Sequence, residues 1–137
     1  MKALALTERI TSGTLYPVRY GNDLEAKRLP AQFYQSITGS EPARNWLKGL
    51  PVADRRIVGR DIKTVEFGWP VGMPTCRPFG AGLWEIRSSL PDGRIARMLF
   101  CISDDRMILL HGFIKKTRTT PTSELKLARS RQKEVLR

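Results

Sequence analysis

The chain has 137 residues, 41% of them hydrophobic, with 24 Lys and Arg against 13 Asp and Glu and a formal net charge of +11. That length fits one domain around one core and leaves no room for a second of full size. The charge excess asks for a polyanionic partner, nucleic acid first and an anionic membrane second, and says nothing about fold. No apolar run approaches the roughly 20 residues of a membrane span, and no signal-peptide core is evident near the start, so a cytoplasmic protein is expected. Cys76 and Cys101 have neither metal-ligand spacing nor the density of a disulfide scaffold, and reduced thiols follow, with Cys101 a small buried hydrophobe.

Residues 1–30 mix turn formers (Ser12, Gly13, Pro17, Gly21, Asn22) with scattered apolar residues and are expected to be an N-terminal extension, the domain proper occupying residues 31–137. Residues 32–37 have the composition of a strand that ends at Thr38-Gly39. Ser40 then offers an N-cap, Glu41 and Pro42 a first turn, and Trp46, Leu47 and Leu50 one apolar face of a helix stopped by Gly49 and Pro51. Beyond it Val58, Ile62, Val65 and Trp69 fall at helical spacing, with Arg55, Arg56, Arg60 and Lys63 around the remaining surface. So short a link predicts two antiparallel helices that pool Trp46, Leu47, Ile62 and Trp69 into one layer.

Residues 83–88, 94–103 and 107–115 read as strands of an antiparallel meander, with turns at Pro91-Asp92-Gly93 and Ser103-Asp104-Asp105. The middle strand is apolar enough to be covered on both faces, and Arg97 alone interrupts it. A terminal helix is expected with Thr120 as N-cap, Pro121 at the first position, Glu124 in the first turn and an apolar stripe of Leu125, Ala128 and Val135. From Arg106 onward there are nine Lys and Arg and two Asp and Glu, so the positive charge is concentrated at this end. The fold class is α+β, with two N-terminal helices on a curved antiparallel sheet and a C-terminal helix.

Alternation places Glu85 and Arg87 on one face of their strand. If Arg97 shares that face, two guanidinium groups and a carboxylate converge there, which suits a phosphate: arginine stays protonated and its planar fork binds phosphate oxygens in pairs. The structural alternative is a cross-strand ion pair made by Glu85. His111, the only histidine, has the residue type of a general acid or base and equally that of a packed structural side chain. Lys115, Lys116 and Arg118, interleaved with threonines, form either a phosphate-binding loop or a solvated turn, and Lys126, Arg129, Arg131 and Lys133 a basic helix face. Trp84 and Phe79 could stack on bases, although Trp84 also suits the core. No Walker loop, zinc pattern or Ser/His/Asp triad is present, and no metal or cofactor is expected.

The succession Leu83-Trp84-Glu85-Ile86-Arg87, Gly93 to Arg97 leading into Met98-Leu99-Phe100, Leu110-His111-Gly112-Phe113-Ile114-Lys115-Lys116-Thr117, and then Pro121 and Glu124 resembles the phage-derived, HigB-like branch of the RelE/ParE toxins. The resemblance covers roughly residues 31–135. It implies the toxin of a type II toxin-antitoxin pair that enters the ribosomal A site and cleaves mRNA without a metal, by attack of a ribose 2′-oxygen on the adjacent phosphate. Carried onto this sequence, it makes Arg87 and Arg97 the holders of the scissile phosphate and Lys115 and Lys116 a clamp or proton donor. Glu85 orients an arginine or accepts the 2′-hydroxyl proton, and His111 is a second group for proton transfer. Arg77, Arg118, Lys126, Arg129 and Lys133 are the further residues offered to RNA. The terminal segment lacks the tyrosine that several relatives place there. The implied partner is a helix-turn-helix, HigA-like antitoxin. A ParE-like gyrase poison and a non-catalytic nucleic-acid-binding module are the competing functions.

Overall fold

The computed structural model describes residues 26–137, so residues 1–25 of the expected extension lie outside the described residues. The elements run β1 (Ala31–Phe33), α1 (Pro42–Lys48), α2 (Val52–Gly68), β2 (Cys76–Gly80), β3 (Leu83–Ser89), a 3-10 turn (Pro91–Gly93), β4 (Ile95–Ser103), β5 (Arg106–Lys115) and α3 (Thr122–Val135). The strands make one open sheet in the order β1-β5-β4-β3-β2, antiparallel except for β1, which is parallel to β5. The class is α+β, with three helices and a mostly antiparallel sheet.

Because successive strand residues point to opposite sides, the sheet sorts its side chains into two cores. Ile86, Ala96, Met98, Phe100 and Leu109 pack with Ala43 of α1 and Val58, Ile62 and Val65 of α2. Leu83, Leu99, Cys101, Ile108 and Leu110 pack with Leu125, Ala128 and Val135, the expected stripe of α3. β4 lies between the two, and its residues 96–101 are all buried, as a strand covered on both faces must be. Trp46, Leu47, Ile62 and Trp69 do share one layer. Trp69 caps α2 instead of extending it, yet its ring meets Trp84 edge-on at 5.0 Å and Phe100 at 5.7 Å. Trp84 is thereby a core residue of the α1–α2 face.

Several expectations are corrected. The first strand is Ala31–Phe33 instead of residues 32–37, because a turn closes immediately behind it. Ser36 N–H donates to Ser40 O (2.8 Å) and Ser40 N–H to Ser36 Oγ (3.1 Å), leaving Ile37 fully exposed. The same turn draws Ser40 away from the helix, so α1 is capped at Glu41 with no side-chain cap bond. Besides the first strand and the three strands of the meander, the sheet has a fifth that was not expected, β2. β2 was hidden by Pro78 and Gly80, residues that argue against a central strand but are tolerated at a sheet edge, where β2 lies. The Asp104-Asp105 turn forms as expected, with φ of 52° and 58° at the two residues, the left-handed geometry that suits a tight hairpin.

Two buried acids fasten the periphery. Arg94, beyond the 3-10 turn, grips Asp54 in the first turn of α2 with two hydrogen bonds of 2.9 and 3.2 Å. Glu66 near the end of α2 accepts from Ala31 N–H (2.7 Å) and Lys27 Nζ (3.1 Å), and its backbone carbonyl accepts from the amides of Arg28 and Leu29. Residues 27–31 are therefore held on α2, and β1 is delivered to the edge of β5. At the other end of β5, the ring of Trp46 lies so close to Gly112 that a Cβ there would sit 2.3 Å from it.

Gly112→Ala should therefore destabilise the fold by about 1–3 kcal/mol through overpacking, seen as a lower denaturation midpoint. An unchanged midpoint would mean that Trp46 yields freely. The Arg94 hydrogen bonds hold the Asp54 carboxyl below its ordinary value of 3.8. Its contribution is complete above that value and is lost as pH falls through the depressed one. Asp54→Asn should flatten the acid limb of a stability–pH curve below about pH 4, and an unaltered limb would show that other carboxylates dominate it.

Candidate nucleic-acid interface

Strand register places the expected basic cluster. Arg87 of β3 is directly opposite Arg97 of β4, Arg77 of β2 is opposite Glu85, and Phe113 of β5 is opposite Arg97. All lie on the α3 side of the sheet, so the convergence of Glu85, Arg87 and Arg97 expected from alternation is present, and Arg77 joins it. Glu85 and Arg97 are 0% exposed, and the Arg87 side chain keeps 20% of its surface.

Three guanidinium groups beside one carboxylate in a dry place require compensation, since a buried charge without partners is costly. Burial pushes the Arg97 pKa down, Glu85 opposes the shift, and Arg87 and Arg77 add to it. Glu85 Oε1 stands 3.6 Å from Arg87 Nη1, a loose version of the expected ion pair. The remaining acceptors come from the link between β5 and α3. Arg97 Nη1 donates to Thr119 O (2.9 Å), Arg97 Nη2 to Thr117 O, and Arg87 Nη1 to Arg118 O (3.2 Å). Thr120 Oγ1 donates to Glu85 Oε2. That last bond corrects the expected start of α3. Thr120 turns its hydroxyl to the sheet, Pro121 becomes the N-cap with no side-chain cap bond, and the helix begins at Thr122.

The arrangement is incompletely satisfied. Among the described residues, the buried side-chain atoms left without a hydrogen-bond partner are Glu85 Oε1 and Arg97 Nε. Both belong to this cluster, where such orphans call for an explanation beyond stability.

His111 takes a different direction. A register shift between Leu99 and Phe100 gives β5 an extra residue, and a bulge of this kind re-aims side chains. Leu110 joins the α3 core while His111 also faces α3, its Nε2 2.6 Å from Glu124 Oε1 and its Nδ1 3.5 Å from Arg131 Nη1. The imidazole reaches Arg97 only through Phe113, whose ring stacks on it at 5.6 Å and lies 5.9 Å from Arg97 Cζ. Glu124 and Arg131 were not paired with His111 by any signal in the sequence, where Glu124 reads only as a first-turn acid.

The other basic residues divide by what they hold. Lys115, Lys116 and Arg118 are exposed beside the cluster, and Lys126 and Lys133 are exposed on α3. Arg129 instead donates to Phe79 O (3.0 Å) and Gly80 O (2.9 Å), and with Gln132 Nε2 on Ala81 O (2.7 Å) it pins α3 to the β2–β3 turn. Arg77 lies over the Phe79 ring at 5.2 Å. Cys76 and Cys101 are buried free thiols that burial pushes up to about 11, so neither is a nucleophile at neutral pH. Among the described residues no group of His, Cys, Asp and Glu could hold a metal ion, and no helix is long and apolar enough to cross a membrane.

Residues 45–133, which include α2, strands β2 to β5 and most of α3, match the family model described as phage derived protein Gp49-like (DUF891). The chain belongs to the Gp49-like family. That family is associated with toxins of the RelE/HigB type, which makes an antitoxin the kind of partner to expect. The whole arginine cluster and the segment covering it lie inside the matched region of this Gp49-like protein. No curated protein matches the chain.

Arg97 and Arg87 should separate cleanly in stability. Arg97→Met leaves the Thr117 and Thr119 carbonyls without their donor and takes a compensating charge from beside buried Glu85, and should cost about 3–5 kcal/mol. The part-exposed Arg87→Met should cost about 1 kcal/mol or less. Denaturant titration of the two variants checks this, and equal losses would mean that Arg97 is far better solvated than its burial indicates.

Proposed function

We propose that this Gp49-like protein is the toxin of a type II toxin-antitoxin pair and acts as a metal-independent endoribonuclease on mRNA in the ribosomal A site. The observation that carries the reading is the facing pair Arg87 and Arg97 on a dry sheet surface, with Glu85 and Arg77 beside them. Chemistry of this kind needs little besides positioning and charge. The ribose 2′-oxygen attacks the adjacent phosphorus and the bond to the 5′-oxygen breaks, leaving a 2′,3′-cyclic phosphate and a 5′-hydroxyl. The 2′-hydroxyl proton goes to a base, for which the unpartnered Glu85 Oε1 is the group at hand, and the leaving oxygen receives one from Lys115 or Lys116. Arg87 and Arg97 offset the negative charge that gathers on the phosphoryl oxygens, where fixed donors in a water-poor site are most effective. His111 anchors α3 through Glu124 in this scheme, and Lys126 and Lys133 add long-range attraction for RNA. The antitoxin partner is a small helix-turn-helix protein of the HigA type that covers the basic surface.

A non-catalytic reading draws on the same hydrogen bonds, since Arg97 Nη1 and Nη2 and Arg87 Nη1 are already taken by backbone carbonyls. The test is controlled expression of wild type and Arg87→Met with mapping of reporter mRNA 5′ ends alongside growth and DNA supercoiling. New ends within translated codons, reduced about 10²-fold or more in the variant together with toxicity, are expected. Arrest with intact mRNA and altered supercoiling would replace the reading with a ParE-like gyrase poison, and no effect on either would leave a binding module.

A further inference from the structure

We infer that residues 116–120 are a strap that closes the arginine site by putting backbone carbonyls where the phosphate oxygens of RNA bind, and that RNA must displace the strap to enter. The inference rests on the site reading given above and adds its regulation.

The strap is held by the very groups a phosphodiester would use. Three of its successive carbonyls, those of Thr117, Arg118 and Thr119, accept from Arg97 and Arg87. Carbonyl and phosphate oxygens ask the same thing of a guanidinium fork, and the phosphate, being charged, makes the stronger bond. An exchange of one for the other therefore leaves Arg97 solvated neither before nor after, which lets a guanidinium remain buried in a free protein that has no ligand. The latch is Thr120, whose hydroxyl donates to the buried Glu85 carboxylate. Among the described residues it is the strap's one bond to an acid, and it also fixes where α3 begins.

Closure is not the fully satisfied state. Arg97 Nε has no acceptor and Glu85 Oε1 no donor. An RNA backbone supplies both, a phosphate oxygen for the first and a ribose hydroxyl for the second, whereas the strap carbonyls offer acceptors only. Its outward side has the opposite character. Lys116, Thr117 and Arg118 are exposed, following the exposed Lys115, so the strap presents cations to an approaching polyanion while its carbonyls shield the cations beneath. The same few residues thus attract RNA and withhold the site from it. A ligand that finds only a fraction of molecules open binds more weakly by that fraction, so opening the latch should tighten binding.

The experiment compares wild type, Thr120→Val, Thr120→Ser and Arg87→Met in two readouts. One is the affinity for a single-stranded 2′-fluoro oligonucleotide, which has phosphates but no attacking hydroxyl. The other is the rate of tryptic cleavage after Lys116 and Arg118 in free protein, which follows the open population. Thr120→Val removes the hydroxyl at almost unchanged size, and it should bind about tenfold tighter and be cleaved correspondingly faster, while Thr120→Ser restores wild-type behaviour. If Arg87→Met loses affinity but Thr120→Val gains none, the strap is overturned and the site reading stands. Faster cleavage of Thr120→Val without tighter binding also overturns it, since a strap that opens without effect is no gate. Unchanged affinity in Arg87→Met would remove the arginine cluster as the RNA site, and the strap's role with it.

Discussion

A guanidinium withdrawn from water in the middle strand of the sheet is the constraint around which the α3 side of this protein is organised. Arg97 could be accommodated only by acceptors brought to it. Glu85, on the neighbouring strand, contributes charge without coming within ion-pair distance, so the hydrogen bonds fall to the carbonyls of Thr117 and Thr119. Those carbonyls are in reach only if the chain leaving β5 folds back across the sheet before α3 begins. The late start of α3, the inward hydroxyl of Thr120 and the absence of a side-chain cap at Pro121 are consequences of that one requirement.

α3 must then be held by contacts other than a side-chain cap, and it is. Glu124 and Arg131 meet His111 on β5, and Arg131 also reaches Leu110 O at 2.8 Å. Arg129 and Gln132 take carbonyls of the β2–β3 turn. Hydrogen bonds from charged donors to backbone are among the stronger ones in proteins, so the helix is anchored along its length while the segment before it is held by the site alone. The α1–α2 face has the contrary design. It is predominantly apolar and aromatic, with Trp69 against Trp84 and Trp46 against Gly112, and its buried acids lie at the ends of α2 instead of in its middle. A sheet with one predominantly apolar face can tolerate polar chemistry on the other.

What the sequence discloses follows the range of the interactions concerned. The long helix, the three-strand meander and the shared face of Glu85 and Arg87 depend on periodicity within one segment, and all are legible from the residues. That Arg97 faces Arg87 needed only the inter-strand turn to be placed correctly, which Pro91-Asp92-Gly93 allows. β2 was illegible because an edge strand is exempt from the rules that exclude Pro78 from a central one, and β1, legible as a strand, had its end misplaced because the Ser36–Ser40 turn that closes behind it leaves strand-like residues outside it. The bond from Thr120 to Glu85 spans 35 positions and defeats a local signal, since the same threonine beside the same proline is a good helix cap. His111 and Glu124 illustrate the same limit, with each residue visible and the pairing not.

Charge shows most clearly how the fold edits the sequence. From Arg106 onward the chain is overwhelmingly basic, yet several of these cations are engaged within the protein: Arg106 by Gln32 at 3.3 Å, Arg129 by the β2–β3 turn, Arg131 by Leu110. Those turned to solvent include Lys115, Lys116 and Arg118 at the strap and Lys126 and Lys133 on α3. The net charge thus overstates how many groups can meet a polyanion, but it understates their focus, because the strap cations stand over a cluster that already contains Arg77, Arg87 and Arg97. Fields from exposed groups fade within about 10 Å at ordinary ionic strength, whereas those from a buried cluster are screened far less. In the proposed function, encounter with RNA falls to the exposed lysines, whose long-range field salt weakens, and retention to the arginines beneath them.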